Sequence, residues 1–134
     1  MNRVLFKSNN DHWSTPSQVY DALNKEFEFN DDPCPLYSTV DGLARPWGTV
    51  TFCNPPYSQI KVWVAKAAKE AAMGKTVVLL IPSRTDTKWW HEHVMKASEI
   101  RFLKGRLKFG GAANNAPFPS CVVVWKGGSK CSNS

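Results

Sequence analysis

The chain has 134 residues and 43% hydrophobic content, enough for one domain with a core and incompatible with global disorder. Its net charge of +6 favours a polyanionic partner without identifying one, since a merely basic soluble protein has the same balance. No apolar run approaches the roughly 20 residues of a membrane helix, and the segment from Met1 to Lys7 is too short and polar for a signal peptide, so we expect a soluble cytoplasmic protein.

Residues 1–12 read as a mobile lead-in. Trp13-Ser14-Thr15-Pro16 then opens a helix, with Thr15 as N-cap, Pro16 at the first helical position and Gln18 completing a capping box. Val19, Tyr20, Leu23 and Phe27 mark its buried stripe. Phe27 to Asp31 alternates like a short strand, which Asp32-Pro33-Cys34-Pro35 ends. Leu36 to Arg45 carries no regular pattern apart from a turn at Asp41-Gly42-Leu43. Val50-Thr51-Phe52-Cys53 reads as a buried strand, and Ile60, Val64, Ala67, Ala68 and Ala71 recur at helical spacing between an N-cap at Ser58 and a C-cap at Gly74. Thr76 to Ile81 is a continuous apolar run, as in a central parallel strand covered on both faces. A helix is predicted over Lys88 to Ala97 with Trp90, Val94 and Ala97 inward, then strands at Ile100 to Leu103, Arg106 to Phe109 and Ser120 to Trp125. The stretch from Gly127 reads as a mobile tail. Nothing marks a linker or an internal repeat, so residues 1–134 read as a single domain. Strands alternating with helices imply an α/β sheet, and the last strands, lacking a helix between them, imply at least one antiparallel pair.

The four cysteines, Cys34, Cys53, Cys121 and Cys131, form no C-x-x-C pair and read as reduced, mostly buried thiols. His91 and His93 lie two apart in a helical stretch and do not share a face, so they read as surface or loop-facing groups; no metal site is expected.

The most specific chemistry lies in Asn54-Pro55-Pro56-Tyr57, placed where a strand ends and a helix begins, at the edge where open α/β sheets bind ligands. Two prolines remove two backbone donors. The Asn54 side-chain oxygen and the Pro55 carbonyl then serve as two acceptors, matching one flat amino group, and Tyr57 offers an aromatic face for a planar ring. Such a site suits an amino group on an aromatic base or an amide. The plainer reading is that the prolines only end the strand.

This tetrapeptide after a strand resembles the catalytic motif of amino-group methyltransferases that use S-adenosylmethionine. The wider pattern is similar to the phage Dam-type DNA N-6-adenine methyltransferase family. It rests on Trp13 to Pro16, Asp32-Pro33-Cys34, Asp41-Gly42-Leu43, Trp47, the tetrapeptide, Ile81 to Trp89, Gly105 to Phe109 and Ala116 to Ser120. These motifs follow in order from residue 13 to 125, and the ordered set is far more specific than any member. The resemblance implies a minimal Rossmann-like methyltransferase sheet, mostly parallel with an antiparallel strand near the C-terminus and helices on both faces. It implies that Asn54, Pro55, Pro56 and Tyr57 hold the target adenine for methylation at its exocyclic amine. It makes Trp13, Thr15 and Pro16 a cofactor-binding segment, Asp32 and Pro33 the cofactor-binding turn, and Asp41 the acid reaching the adenosine. From the residues alone, Trp13 is a core anchor or a wall of a cofactor pocket, and the plainer alternative for Asp32 is the cap of a turn before Pro33. The chain departs from the wider pattern in having Cys34-Pro35-Leu36 where a glycine-rich loop would stand, and only 20 residues between Pro33 and Asn54.

With no stretch reading as a separate recognition domain, DNA contacts are expected from loops on the catalytic edge. Arg84 and Lys88 stand beside aromatics; Lys104, Arg106 and Lys108 put three cations within five residues; Asn114 and Asn115 follow in a glycine-rich loop. The plain alternatives are a solvated strand face for Arg106 and Lys108 and, for Trp90, a core position, which its spacing favours. Two other functions share these features: methylation of RNA or of a protein amide, and nucleic-acid binding without catalysis.

Overall fold

The computed structural model describes residues 14–34, 41–108, 116 and 118–127. The expectations for Trp13, the lead-in, Asn114, Asn115, Cys131 and nearly all of the tail lie outside these residues. Helix α1 spans Ser17–Phe27. It ends at Glu28, which takes a left-handed conformation (φ 57°) while its N–H bonds to the Asn24 carbonyl. The Asn24 side chain also accepts from the Phe29 N–H at 2.9 Å. These caps hold Phe27 in the helix, so the strand expected over Phe27 to Asp31 shrinks to one parallel bridge, Asp31 to Thr51.

Strand β1, Val50–Cys53, is followed by a 3₁₀ turn at Tyr57–Gln59 and helix α2 at Ile60–Ala72. Ser58 therefore lies inside the turn instead of capping the helix. Gly74 beyond α2 has φ 99°, the left-handed stop read from its position. Strand β2 is Thr76–Pro82, and helix α3, Lys88–Glu92, is capped by Thr87, whose hydroxyl accepts from the Trp90 N–H at 3.3 Å. The single helix expected to Ala97 is broken at His93 and continues as a 3₁₀ turn, Val94–Lys96. Strands β3, Glu99–Phe102, and β4, Ser120–Trp125, complete the sheet. Arg106, Leu107 and Lys108 form no strand; the Leu107 carbonyl takes one backbone bond, from Ala116.

The sheet order is β1-β2-β4-β3. Only β1 and β2 are parallel; β2–β4 and β4–β3 are antiparallel. This corrects the mostly parallel Rossmann-like sheet expected from the resemblance. Strand β4 returns in the opposite sense to β2 and β3 and inserts between them. The central place of β2 does hold, since side chains alternate into two buried clusters. Val77, Leu79 and Ile81 meet Trp63, Val64, Ala67, Trp90 and Val94 of the α2–α3 side. Val78 and Leu80 meet Leu23 of α1, with Phe52, Val122 and Val124. Trp90 is 2% exposed and is a core residue.

The two edges of the sheet differ in character. At one, β1 and β2 end, β4 begins and β3 ends, as the pairs Pro82–Ser120 and Phe102–Cys121 show. At the other, buried Glu70 accepts from the Trp47 N–H at 3.1 Å and pairs with Lys66 at 2.9 Å and Lys75 at 2.5 Å. Burial pushes the Glu70 carboxyl up, but Lys75, Lys66 and the Trp47 N–H overcome that and bring it down to about 2.

Candidate active site

The antiparallel return of β4 gathers several loops at one edge. Asn54 to Tyr57 leave β1 there, Ser83 and Arg84 leave β2, Leu103 to Lys108 leave β3, and Phe118 precedes β4. Strand β1 stops at Cys53 because Pro55 and Pro56 have no N–H to extend a ladder. Asn54, Pro55 and Pro56 are buried and Tyr57 is half-buried.

Asn54 is 3% exposed, and its Nδ2 donates to the Thr15 hydroxyl at 3.1 Å. The capping box expected at Thr15 is absent. Pro16 is the N-cap, without a side-chain bond, and the Thr15 oxygen is turned to the Asn54 amide instead. Asn54 follows the alternation of β1 onto the face that α1 covers, so the start of α1 meets it there.

Tyr57 is held edge-on by Phe118, ring centroids 5.0 Å apart at 90°, and the Arg84 guanidinium lies 6.0 Å from the Phe118 centroid. Phe118 was no candidate on residue chemistry; only the registers of β2 and β4 bring it beside Tyr57. Arg84, Lys88, Lys104, Arg106 and Lys108 are all exposed. Lys88 faces Glu92 at 3.7 Å. Lys108 shares a cleft of about 470 Å³ with Ser14, Thr15, Pro16, Ser17 and Gln18, so a residue proposed for DNA sits beside residues proposed for cofactor.

The acidic turns lie close together. Asp32 is half-buried and its Oδ1 accepts from the Cys34 N–H at 3.2 Å, the turn cap that its sequence context allows. Burial foremost, with the nearby charge of Asp31, pushes its carboxyl up to about 6, against opposing pulls from the Cys34 N–H and Arg45. Asp31 goes the other way: burial raises it, but the Arg45 fork at 2.8 and 2.9 Å and the Gly48 N–H at 2.8 Å bring it below the ordinary range. Asp41 is exposed and caps a 3₁₀ turn, Gly42–Ala44, by accepting from the Leu43 N–H at 2.9 Å. The two turns pack through Gly42, where any Cβ would overlap the Pro33 carbonyl. The Trp47 indole N–H, bonding to the Gly42 carbonyl at 2.8 Å, fixes that contact.

His91 is exposed and contacts the Thr85 carbonyl at 2.8 Å; His93 is half-buried. Among the described residues no three His, Cys, Asp or Glu side chains group as metal ligands, and no helix is long and apolar enough to cross a membrane. Cys34, Cys53 and Cys121 are buried, as expected.

A family model described as DNA N-6-adenine-methyltransferase (Dam) matches residues 3–128. A DNA N-6-adenine-methyltransferase of Haemophilus phage HP1 (strain HP1c1) is 30% identical over 111 residues, covering 72% of this chain and 64% of that protein. A second, of Escherichia phage T1, is 30% identical over 110 residues, covering 72% of this chain and 46% of that protein. The chain thus spans between about half and two thirds of the length of these curated relatives.

Proposed function

Because the chain belongs to the DNA N-6-adenine-methyltransferase (Dam) family, we propose that it moves a methyl group from S-adenosylmethionine to the exocyclic amine of adenine in DNA. The observation that carries this reading is the buried Asn54-Pro55-Pro56 segment beside Tyr57, at an edge lined by exposed cations. An adenine inside a duplex cannot reach this segment and must be flipped out, at a cost of a few kcal/mol. Stacking on Tyr57 offsets about 1–3 kcal/mol of that. The Asn54 Oδ1 and the Pro55 carbonyl accept the two amine N–H bonds and draw the nitrogen toward a tetrahedral shape. Positive charge develops on that nitrogen during transfer, so both acceptors hold the transition state more tightly than the ground state.

S-adenosylmethionine, when bound, supplies a methyl group already activated by its sulfonium charge. The residues present fit such a ligand. Its positive groups match the Asp32 carboxylate, whose ionised form is penalised by burial and gains from a cation. Trp13, Thr15, Pro16, Asp32, Pro33 and Asp41 are assigned to hold it. Arg84, Lys88, Lys104, Arg106 and Lys108 are assigned to phosphates, and Asn114 and Asn115 to base edges. DNA and this cofactor meet in the cytoplasm, of the host where the protein is phage-encoded, and we place the activity there.

The test supplies methyl-labelled cofactor with duplex DNA, RNA and protein in parallel. The expected result is label on adenine N6 of DNA. Label on RNA or on a glutamine amide, or none on any substrate, overturns the assignment.

A further inference from the structure

We propose that Phe102 is a stacking platform for an unpaired base that flanks the target adenine on the same DNA strand, so that the protein takes DNA whose flanking bases are single-stranded. This rests on the DNA-methyltransferase reading above and deepens it by naming the form of the substrate.

Among the described Phe, Tyr and Trp residues, Phe102 alone is exposed, at 65%. One exposed apolar side chain is ordinary on a protein surface, and Val62, Met73 and Met95 are further examples. What sets Phe102 apart is its place. It is the last residue of β3 and so stands at the edge where the tetrapeptide leaves β1. Ile100, on the same face of β3, packs against the α2–α3 cluster, and Leu103 and Leu107 pack against the cluster under α1. Just beyond, Gly105 takes a left-handed conformation (φ 75°) that bends the chain between exposed Lys104 and Arg106.

Along the sheet this edge runs from Tyr57 after β1, through Arg84 after β2 and Phe118 before β4, to Phe102 on β3. The loops leaving β2 and β3, residues 83–87 and 103–108, hold Arg84, Lys104, Arg106 and Lys108 against one acid, Asp86. Cations with aromatic rings among them have the chemistry of single-strand binding: the cations take phosphates, and a ring takes a base by its face, whichever base it is. A paired base offers a protein only its edge, so the Phe102 ring has nothing to stack on until the pair opens. Three strand spacings separate β1 from β3, about 14 Å, which about four nucleotides stacked at about 3.4 Å cover, or fewer when the strand is stretched. Asn54 lies on the α1 face and Phe102 on the α2–α3 face, so the DNA strand crosses the end of the sheet obliquely. A second copy of the chain is the other occupant for a ring on an outermost strand. Strand β3 is ill suited to it: it has four residues, and its Arg101 pairs with Glu99 at 2.8 Å and with Glu26 at 2.7 Å, the short and charged form that resists self-pairing.

The test measures binding of the full chain, by fluorescence anisotropy, to a labelled thymine oligonucleotide, to an abasic strand of the same length and to a duplex. Phe102→Ala should weaken binding to the thymine strand by about 5- to 150-fold, which corresponds to about 1–3 kcal/mol for one stacked base. It should change affinity little on the abasic strand and less on the duplex than on the thymine strand, and Phe102→Trp should bind as wild type does. In a single strand that wild type methylates, abasic nucleotides are then placed one at a time on either side of the adenine. One position should weaken wild-type binding and not that of Phe102→Ala. Unchanged affinity for the thymine strand overturns the proposal, and a dimer split by the same variant would then assign Phe102 to a second copy. An equal loss on the abasic strand, a loss as large on the duplex, or an abasic scan identical in the two proteins also overturns it. Failure of wild-type protein to methylate DNA would instead overturn the methyltransferase reading, while the comparison of thymine and abasic strands would still report on Phe102.

Discussion

In the proposed reaction Asn54 and Tyr57 would have different parts, and their burial predicts how each fails. Asn54→Ala removes an acceptor inside a site with little water. Turnover should fall by about 100-fold or more, the scale seen when one charge-stabilising group is lost, with cofactor affinity nearly unchanged; single-turnover rates and calorimetry separate the two. Tyr57→Ala should weaken DNA capture by about 1–3 kcal/mol, and Tyr57→Phe should retain most of it, because the ring does the stacking. Asp32 makes a prediction in pH. Its carboxyl, raised to about 6, is protonated below that value and attracts no cation; above it the negative charge is present. S-adenosylmethionine should therefore bind more tightly as pH rises from 5 to 7. Asp32→Asn should bind more weakly and with a flat profile across that range, measured by calorimetry. An unchanged affinity at pH 7 would return Asp32 to its role as the cap for the Cys34 N–H.

Among the elements, the proposed nucleic-acid contacts depend most on the end of β3 and the loop after it. Arg106 and Lys108 were read as one face of a strand, but both stand exposed in irregular chain, and Lys108 reaches the cleft beside Thr15. Arg106→Ala with Lys108→Ala should weaken binding to duplex DNA. If both contact phosphate, the salt slope of log affinity should fall by about 1.8, with cofactor affinity intact. An unchanged slope in a titration across salt concentrations would move the DNA to another face. Helix α1 links the same edge to the rest of the sheet. Its N-terminal end carries Thr15 to Asn54, and near its C-terminal end Glu26 pairs with Arg101 of β3 at 2.7 Å, with the guanidinium 5.5 Å from the Phe27 ring centroid. A helix braced at both ends holds the Thr15 contact more firmly than its N-cap, which lacks a side-chain bond, would alone.

For the molecule as a whole, the edge opposite the active site carries a stabilising charge cluster. Glu70 is 1% exposed and ties α2 to Lys75 before β2 and to Trp47 before β1. Removing it should cost about 3 kcal/mol at pH 7, the scale for breaking a buried ion pair, read from denaturant unfolding of Glu70→Ala. The sign of its pH dependence follows from a folded value of about 2 beneath the ordinary 4.5. The stabilisation is complete above about pH 4.5 and is lost as pH falls toward 2, so the gap between wild type and variant should close over that window. Methylation by the remaining folded Glu70→Ala should be nearly normal, because the cluster lies at the far edge.

What the sequence determined by itself was local or ordered along the chain. The apolar run of β2, the boundaries of β4, the buried stripe of α1, the stop at Gly74 and the core place of Trp90 all follow from periodicity and turn chemistry. The tetrapeptide and the ordered motifs around it were enough to point to the family. Tertiary structure decided the rest, because the interactions concerned have no local signature. The direction of β4 depends on which gap in the sheet it fills, and that choice made the sheet mostly antiparallel. Thr15 offered a good capping sequence, yet its hydroxyl went to an amide 39 residues away. Phe118 reached Tyr57 only through the registers of β2 and β4. Glu70, a charge on the face of α2 that meets the core, became tolerable only when Lys66, Lys75 and the Trp47 N–H converged on it. Short-range periodicity carries information about faces and ends; the pairing of distant groups depends on how those faces are stacked.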